Sequence, residues 1–329
     1  MISQSAVFLL SVFAFFFFDL STVSLAASQK EKAVKGVKIS EVGDVLRIEI
    51  NGDFFSEYHF TDVTRPFLYP VIGPGEVPLT RNWPMKETPD EEHDHPHHKS
   101  LWYAHGSING QDFWSEEKGA GKTVHEKFVA IKSGKKKGSI QSRNKLVALD
   151  GTVVATDERT WTFYNRPDAR MFDFAITIHA SEGDLKFGDT KEGTMAMRLN
   201  EAMRLKGKIG HGHIINSEGV QDGETWGKRA DWCDYSAPVE GQVVGVAIFD
   251  HPKNPRHPTW WHVRDYGLFA ANPFGIHDFE KMPTGTGDLI VPAGKSITFH
   301  YRFYCHKGDD KEAKVAEEYA KYAKSHVSH

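Results

Sequence analysis

The chain has 329 residues, 40% of them apolar and 12% aromatic, with a formal net charge of −4. That composition is globular and fits one large β domain or two ordinary domains. The absence of a basic excess removes electrostatic support for a nucleic-acid partner or an anionic membrane surface.

Residues 6–18 form an apolar run of thirteen residues, too short to span a bilayer but suited to the apolar core of an export signal. Ser24-Leu25-Ala26 supplies a small-x-small cleavage pattern, so residues 1–26 are expected to be a signal peptide and the mature chain to start at Ala27. The expected location is exported, periplasmic or extracellular. Past residue 30 no run approaches the length of a membrane span. Residues 27–36 are polar and form a lead-in to a β domain over 37–308, closed by a C-terminal helix and tail over 309–329.

From Val37 the apolar residues recur with period two through Ile50, and Asn51-Gly52 marks a tight turn. Further strands are expected at Thr123–Lys132, Ser139–Leu149, Thr152–Tyr164, Arg170–His179, Thr194–Leu199, Val243–Asp250, Thr259–Val263 and Ser296–Cys305. The lysines Lys132, Lys135, Lys136 and Lys137, interleaved with Gly134 and Gly138, read as a solvated hairpin tip. Helical periodicity is convincing once, over Asp309–Ser325. Ten to fifteen strands in one chain imply a large sandwich or barrel, since an open sheet that wide curls or splits. Cys233 and Cys305 lie far apart and are expected to be isolated buried thiols.

Four polar stretches interrupt this pattern. The first is Arg81-Asn82 followed by Glu92-His93-Asp94-His95-Pro96-His97-His98 and His105; five of the chain's 18 histidines fall within thirteen residues here. Histidine titrates near neutral pH and also ligates metals. The apolar run Leu101-Trp102-Tyr103-Ala104 that follows should anchor it to a buried strand. The second stretch, Asp189-Thr190-Lys191-Glu192 between glycines, puts two carboxylates and an ammonium on a tight loop. The third, Thr225 to Tyr235, carries Trp226 and Trp232 either as core residues or as platforms for sugar rings. In the fourth, Asp250 to Gly267, period two puts Trp260, His262 and Arg264 on one face of a strand, opposite Trp261 and Val263.

Three imidazoles from His95, His97 and His105 could serve zinc, copper or non-haem iron, but Pro96 excludes a helical metal motif. A single transition metal is therefore the one cofactor left open. No Gly-x-Ser-x-Gly elbow, phosphate loop or dinucleotide fingerprint is present.

Arg65-Pro66-Phe67-Leu68-Tyr69-Pro70, the block Asp94 to Gly106, Asn109-Gly110-Gln111-Asp112-Phe113-Trp114, Phe187 to Gly193 and Asp250-His251-Pro252 together resemble a family of secreted bacterial proteins named "methane oxygenase PmoA"-like. The resemblance spans roughly residues 40–305. A second resemblance, at the level of fold, is to galactose-mutarotase-like proteins, in which a histidine-glycine motif, a second histidine and a late acid act on a sugar ring. Ala104-His105-Gly106 and His179 stand where the first two would, and the late acid has no clean counterpart. This resemblance implies a mainly β fold, a large antiparallel supersandwich with one C-terminal helix.

The function expected is that of an exported carbohydrate-active enzyme, a hydrolase, lyase or epimerase, on a sugar or oligosaccharide. His97, His98, His105 and Glu192 would carry acid–base chemistry. Arg81, Asn82, His95, Asp189, Lys191, Arg256, His262 and Arg264 would bind substrate, with Trp232 or Trp260 stacking on a ring. The alternatives are a metal-dependent oxidase using the histidines as ligands and a non-catalytic glycan-binding module.

Overall fold

A computed structural model describes Met1 and residues 35–327. The expected signal peptide, its cleavage point and almost all of the lead-in lie outside the described residues. In chain order the strands are β1 (Val37–Val42), β2 (Val45–Ile50), β3 (Asp53–His59), β4 (Phe67–Tyr69), β5 (Leu101–His105), β6 (Lys122–Lys132), β7 (Lys137–Val147), β8 (Val153–Tyr164) and β9 (Arg170–His179). They continue with β10 (Leu185–Phe187), β11 (Gly193–Arg198), β12 (His213–Asn216), β13 (Trp232–Val239), β14 (Gln242–Asp250), β15 (Trp260–Val263) and β16 (Leu268–Asn272). A short helix α1 (Ile276–Glu280), strands β17 (Leu289–Val291) and β18 (Ser296–Lys307), and helix α2 (Val315–Ala323) complete the chain.

Two eight-stranded antiparallel sheets dominate: β1-β2-β3-β4-β5-β11-β16-β15 and β12-β13-β14-β18-β9-β8-β7-β6. The strands β10 and β17 form a separate pair. The fold is mainly β, as the period-two pattern predicts, with one helix near the C-terminus. The sequence pattern locates the long strands to within two residues at either end, and the lysine-rich tip closes the β6–β7 hairpin. Among the described residues, no helix is long and apolar enough to cross a membrane.

Besides the short β10, β12 and β17, the strands expected from sequence omit β13 and β16. Both are buried along almost their whole length, so they show little alternation. The helix also starts later than Asp309. The Asp309 carboxylate accepts the backbone N–H groups of Lys311 and Glu312 at 3.0 and 2.8 Å, and Lys314 takes a left-handed conformation (φ 55°). A turn held by a side chain thus competes with the helix, which begins only at Val315. From there Val315, Tyr319 and Tyr322 pack against Trp232, Phe249 and Tyr304 on the second sheet. Cys233 and Cys305 are buried and free.

Residue parity positions the site. In β5, β11, β16 and β15, the residues Leu101, Tyr103, Met195, Met197, Phe269, Ala271, Trp261 and Val263 enter the main core. The intervening Trp102, Ala104, Ala196, Leu268 and Ala270 point the other way, into a smaller cluster completed by Phe67 and Trp114. Register aligns Phe67, Trp102, Ala196, Ala270 and His262 as one row across the sheet. The long loops around residues 78–100 and 106–121 fold over this outer face and bring Met85 and Trp114 against it.

Candidate active site

The histidine loop reaches the outer face through one ionic brace. Arg81 and Arg198, both fully buried, converge on the Asp94 carboxylate, with Arg198 Nη2 at 2.6 Å from Oδ1. Arg81 also donates to the carbonyls of Glu92, Asp94 and His95 at 3.1, 2.9 and 3.1 Å. Arg65, buried, donates to the carbonyls of His97 and Phe113 at 2.6 and 2.9 Å, tying the two covering loops together. Burial alone would raise the Asp94 carboxyl. Hydrogen bonding to His95 and the guanidinium charges of Arg198 and Arg81 instead hold it far below the usual carboxylate range.

The imidazoles then fall into place. The ring of His95 lies parallel to those of His98 and Tyr266, with centroids 4.7 and 5.0 Å away. His98 stacks on Trp102 (5.2 Å) and meets Trp114 edge-on (5.6 Å). On β15, His262 belongs to the outer row.

Around these residues lies a cavity of about 660 Å³, lined by His95, His97, His98, Gly106, Asp112, Trp114, Ser115, Glu117, Lys191, Glu192, His262, Arg264 and Tyr266. A space of that size is within the range of small-molecule sites. Of the residues singled out in the sequence, it gathers His95, His97, His98, Lys191, Glu192, His262 and Arg264.

Hydrogen-bond partners fix the tautomers. The His98 Nδ1 atom lies 3.2 Å from Arg198 Nη1, which can only donate, so the proton of neutral His98 sits on Nε2. That Nε2–H is buried and has no partner, as is the indole N–H of Trp114. For His262, Nδ1 lies 2.6 Å from the Lys191 carbonyl, which can only accept; Nε2 therefore keeps its lone pair. Burial, reinforced by Arg65, lowers His97 to about 4. Burial, with His97 and Arg198 adding to it, takes His98 well below its ordinary value. Burial outweighs the carbonyl bond at His262 and lowers it to about 3. All three rings are neutral near pH 7. Burial pushes the Tyr266 hydroxyl up to about 12.

The acidic wall comes from the loop between β10 and β11. Glu192 pairs with Lys191 at 3.2 Å, and its carbonyl accepts the Gly106 N–H at 2.7 Å. Across the cavity, Asp112 is occupied by the N–H groups of Trp114 (2.6 Å) and Ser115 (3.2 Å). The guanidinium of Arg264 lies 5.5 Å from the centre of the Tyr266 ring.

Other sequence candidates have structural partners and do not line this cavity. His105 has the parity of the main core: fully buried, it donates from Nε2 to the Gly188 carbonyl at 2.8 Å and packs on Phe187 and Phe274. Burial lowers it to about 4. Arg81 is consumed by the Asp94 brace. Asn82 bridges Tyr69 and Thr88 at 3.0 and 2.9 Å. Asp189 accepts the N–H groups of His277 and Gly287 at 2.9 and 2.8 Å. Arg256 donates to the carbonyls of Pro273, Gly287 and Asp288. Trp232 is core beneath α2, and Trp260 donates to Glu280 at 2.7 Å beneath Arg229.

The site list made from sequence lacks Asp112, Trp114, Ser115, Glu117, Tyr266 and the buried Arg198. A signal for Arg198 was present: it is the one charge in the apolar run Thr194 to Leu199. Among the described residues, no group of three or more His, Cys, Asp or Glu side chains is arranged to hold a metal ion. His95, His97 and His105 do not form such a set, since His105 faces the opposite side of the sheet.

The chain superposes in part on several solved structures. The galactosidase domain of the α-galactosidase-sucrose kinase AgaSK superposes with a TM-score of 0.44 at 7% identity, covering 82% of this chain. The match spans 42% of that protein's length. A candidate aldose 1-epimerase from Klebsiella pneumoniae gives 0.40 at 9% identity, covering 87% of each chain. A galactose mutarotase related enzyme from Lactobacillus acidophilus gives 0.30 at 10% identity, with 82% of this chain and 97% of that one covered. No match was found among curated proteins. Residues 45–320 match the family of unknown function DUF6807, and the chain belongs to that family.

Proposed function

We propose that the cavity binds a sugar and carries out acid–base chemistry on it, as a hydrolase, lyase or epimerase. The observation that carries this reading is the convergence of neutral imidazoles, a carboxylate and two cationic side chains around one cavity containing unpartnered buried donors. An unpaired buried N–H is costly, and a hydroxyl oxygen of a ligand would satisfy those of His98 and Trp114. Glu192 and His97 are the proton-transfer pair: the His97 ring nitrogens make no hydrogen bond to the described residues, and its neutral form can accept a proton. Arg264 and Lys191 would hold hydroxyls or a carboxylate, while the Nε2 lone pair of His262 accepts a hydroxyl proton. The half-buried ring of Tyr266 would supply apolar surface for a pyranose C–H face.

The experiment is a sugar panel followed by proton NMR for anomer exchange and bond cleavage, and by ultraviolet absorbance for unsaturated products. His97→Gln and Glu192→Gln should each lower turnover about 100-fold or more while leaving substrate affinity within a few-fold. Wild-type turnover in both variants would remove them from the chemistry. Binding without turnover by any variant or by the wild type would make the protein a glycan-binding module.

The alternative of a metal-dependent oxidase using the histidines as ligands has less support, because among the described residues no three such side chains are arranged to hold a metal ion. His98 Nδ1 accepts from Arg198, which leaves a proton on Nε2, and His105 lies on the other side of the sheet. Stoichiometric copper, iron or zinc in purified protein would reverse that judgement. We also read the chain as exported, on the apolar run at residues 6–18; a secreted product beginning near Ala27 is the expected result.

A further inference from the structure

A second cavity, of about 570 Å³, lies on the far side of Arg264. Its lining includes Lys206, Asp222, Gly223, Trp226, Arg264 and Asp265. Arg264 belongs to both walls, with its guanidinium 5.7 Å from the Trp226 ring and 5.5 Å from the Tyr266 ring. Trp226 is half-buried and also meets His262 edge-on at 6.4 Å. It thus touches two side chains of the first cavity while presenting surface to the second. Its indole N–H is buried without a partner, so a polar ligand atom would satisfy it. Acceptors and donors for hydroxyls stand beside it: Asp222, and the Lys206–Asp265 pair at 3.1 Å.

Resting on the reading of the first cavity as a sugar site, the geometry points to an oligosaccharide ligand with a second subsite at Trp226. One ring sits among the histidines, Arg264 bridges to the next, and the following ring stacks on Trp226. Each cavity by itself has the volume of a small-molecule site, and a single monosaccharide leaves one of them empty. A pair of aromatic rings flanking one guanidinium presents both a stacking face and hydrogen-bond donors at the point where two sugar units would join.

The test compares matched ligands on the full-length mature protein by calorimetry: glucose with cellobiose and cellotriose, galactose with galactobiose, and galacturonate with its dimer and trimer. For whichever sugar binds, the dimer should bind at least tenfold tighter than the monomer. Trp226→Ala should reduce that ratio to within twofold of one, and Trp226→Phe should restore most of it. A second variant guards against misfolding. A Cβ at Gly223, in the cavity lining, would meet no atom within 4 Å, so Gly223→Tyr adds bulk at the second cavity and should also lower the gain. Equal monomer and dimer affinities in the wild type, or a ratio unchanged in both variants, would overturn the second subsite while leaving the first cavity's assignment standing. Failure of every saccharide to bind would overturn both.

Discussion

Asp94 holds two guanidiniums that have no other carboxylate within ion-pair distance among the described residues. Arg81 and Arg198 are fully enclosed, so removing their shared anion leaves two buried charges uncompensated. Asp94 is itself 33% exposed, which places the cost at the lower end of the usual range: Asp94→Ala should lose about 3 kcal/mol in urea unfolding. An unchanged midpoint would show that water already satisfies the arginines. The carboxyl is depressed in the folded state, so its contribution is fully present above about pH 4, the value of an unfolded aspartate, and is lost as the pH falls below it. This brace also explains a misreading. Arg81 stands out in the sequence as a substrate-gripping arginine, but the anion it grips is thirteen residues away in the same chain. Composition shows which groups could bind a ligand; it does not show which already have partners. His97 and Glu192, by contrast, line the cavity. His105 looked equivalent, and strand parity put it on the other side.

The loop between β10 and β11 is the element on which the acidic wall depends, and two glycines seat it. A Cβ on Gly106 would stand 2.8 Å from the Glu192 Cβ and 3.1 Å from its carbonyl oxygen. At Gly193 a Cβ would stand 2.8 Å from His105 Nδ1. Neither approach tolerates a methyl group unless its neighbour shifts. Gly106→Ala should therefore cost about 1–3 kcal/mol of stability and displace Glu192. Turnover at saturating substrate should drop about tenfold or more, since small misplacements of a reacting group are expensive. A variant that loses stability but keeps full turnover would separate the loop from the chemistry. At this scale the sequence was informative where one face of a strand meets water, as in β7 to β9, whose buried and half-exposed residues alternate. It was weakest for β13 and β16, where burial on both faces erases the period. The late start of α2 was hidden as well, because Asp309 and Lys314 act through backbone geometry that periodicity does not register.

Across the whole molecule, the sheet register joins segments far apart in sequence, setting Trp102 beside Ala196, Ala196 beside Ala270, and Ala270 beside His262. Sequence reading named most of the segments but had no means of pairing them. That assembly buries imidazoles, with a consequence for acid stability. Burial is the largest cause of the lowered values at His59, His97, His98, His105, His125, His251 and His262. The unfolded chain protonates each near 6.5, while native His105 resists until about 4 and His262 until about 3. Between these limits the unfolded state holds more protons, so stability falls as the pH drops from about 6.5 toward 4. The fully enclosed His98, His105 and His262 alone allow a slope of up to about 4 kcal/mol per pH unit, at about 1.4 for each. His257 and His306 behave oppositely. Burial would lower both, but Asp250 and Asp234 respectively raise them. Their contribution is fully present below about 6.5 and is lost as the pH rises through their native values, so it does not offset the acid loss. Stability should therefore peak near neutrality. Urea unfolding at pH 7 and pH 5 checks this: the midpoint should fall at pH 5, and His105→Asn should flatten the dependence by about 1.4 kcal/mol per unit relative to its own pH 7 value. Equal midpoints at the two pH values would mean that the imidazoles titrate in the native state as they do in water, and the enclosed histidine layer would not exist as described.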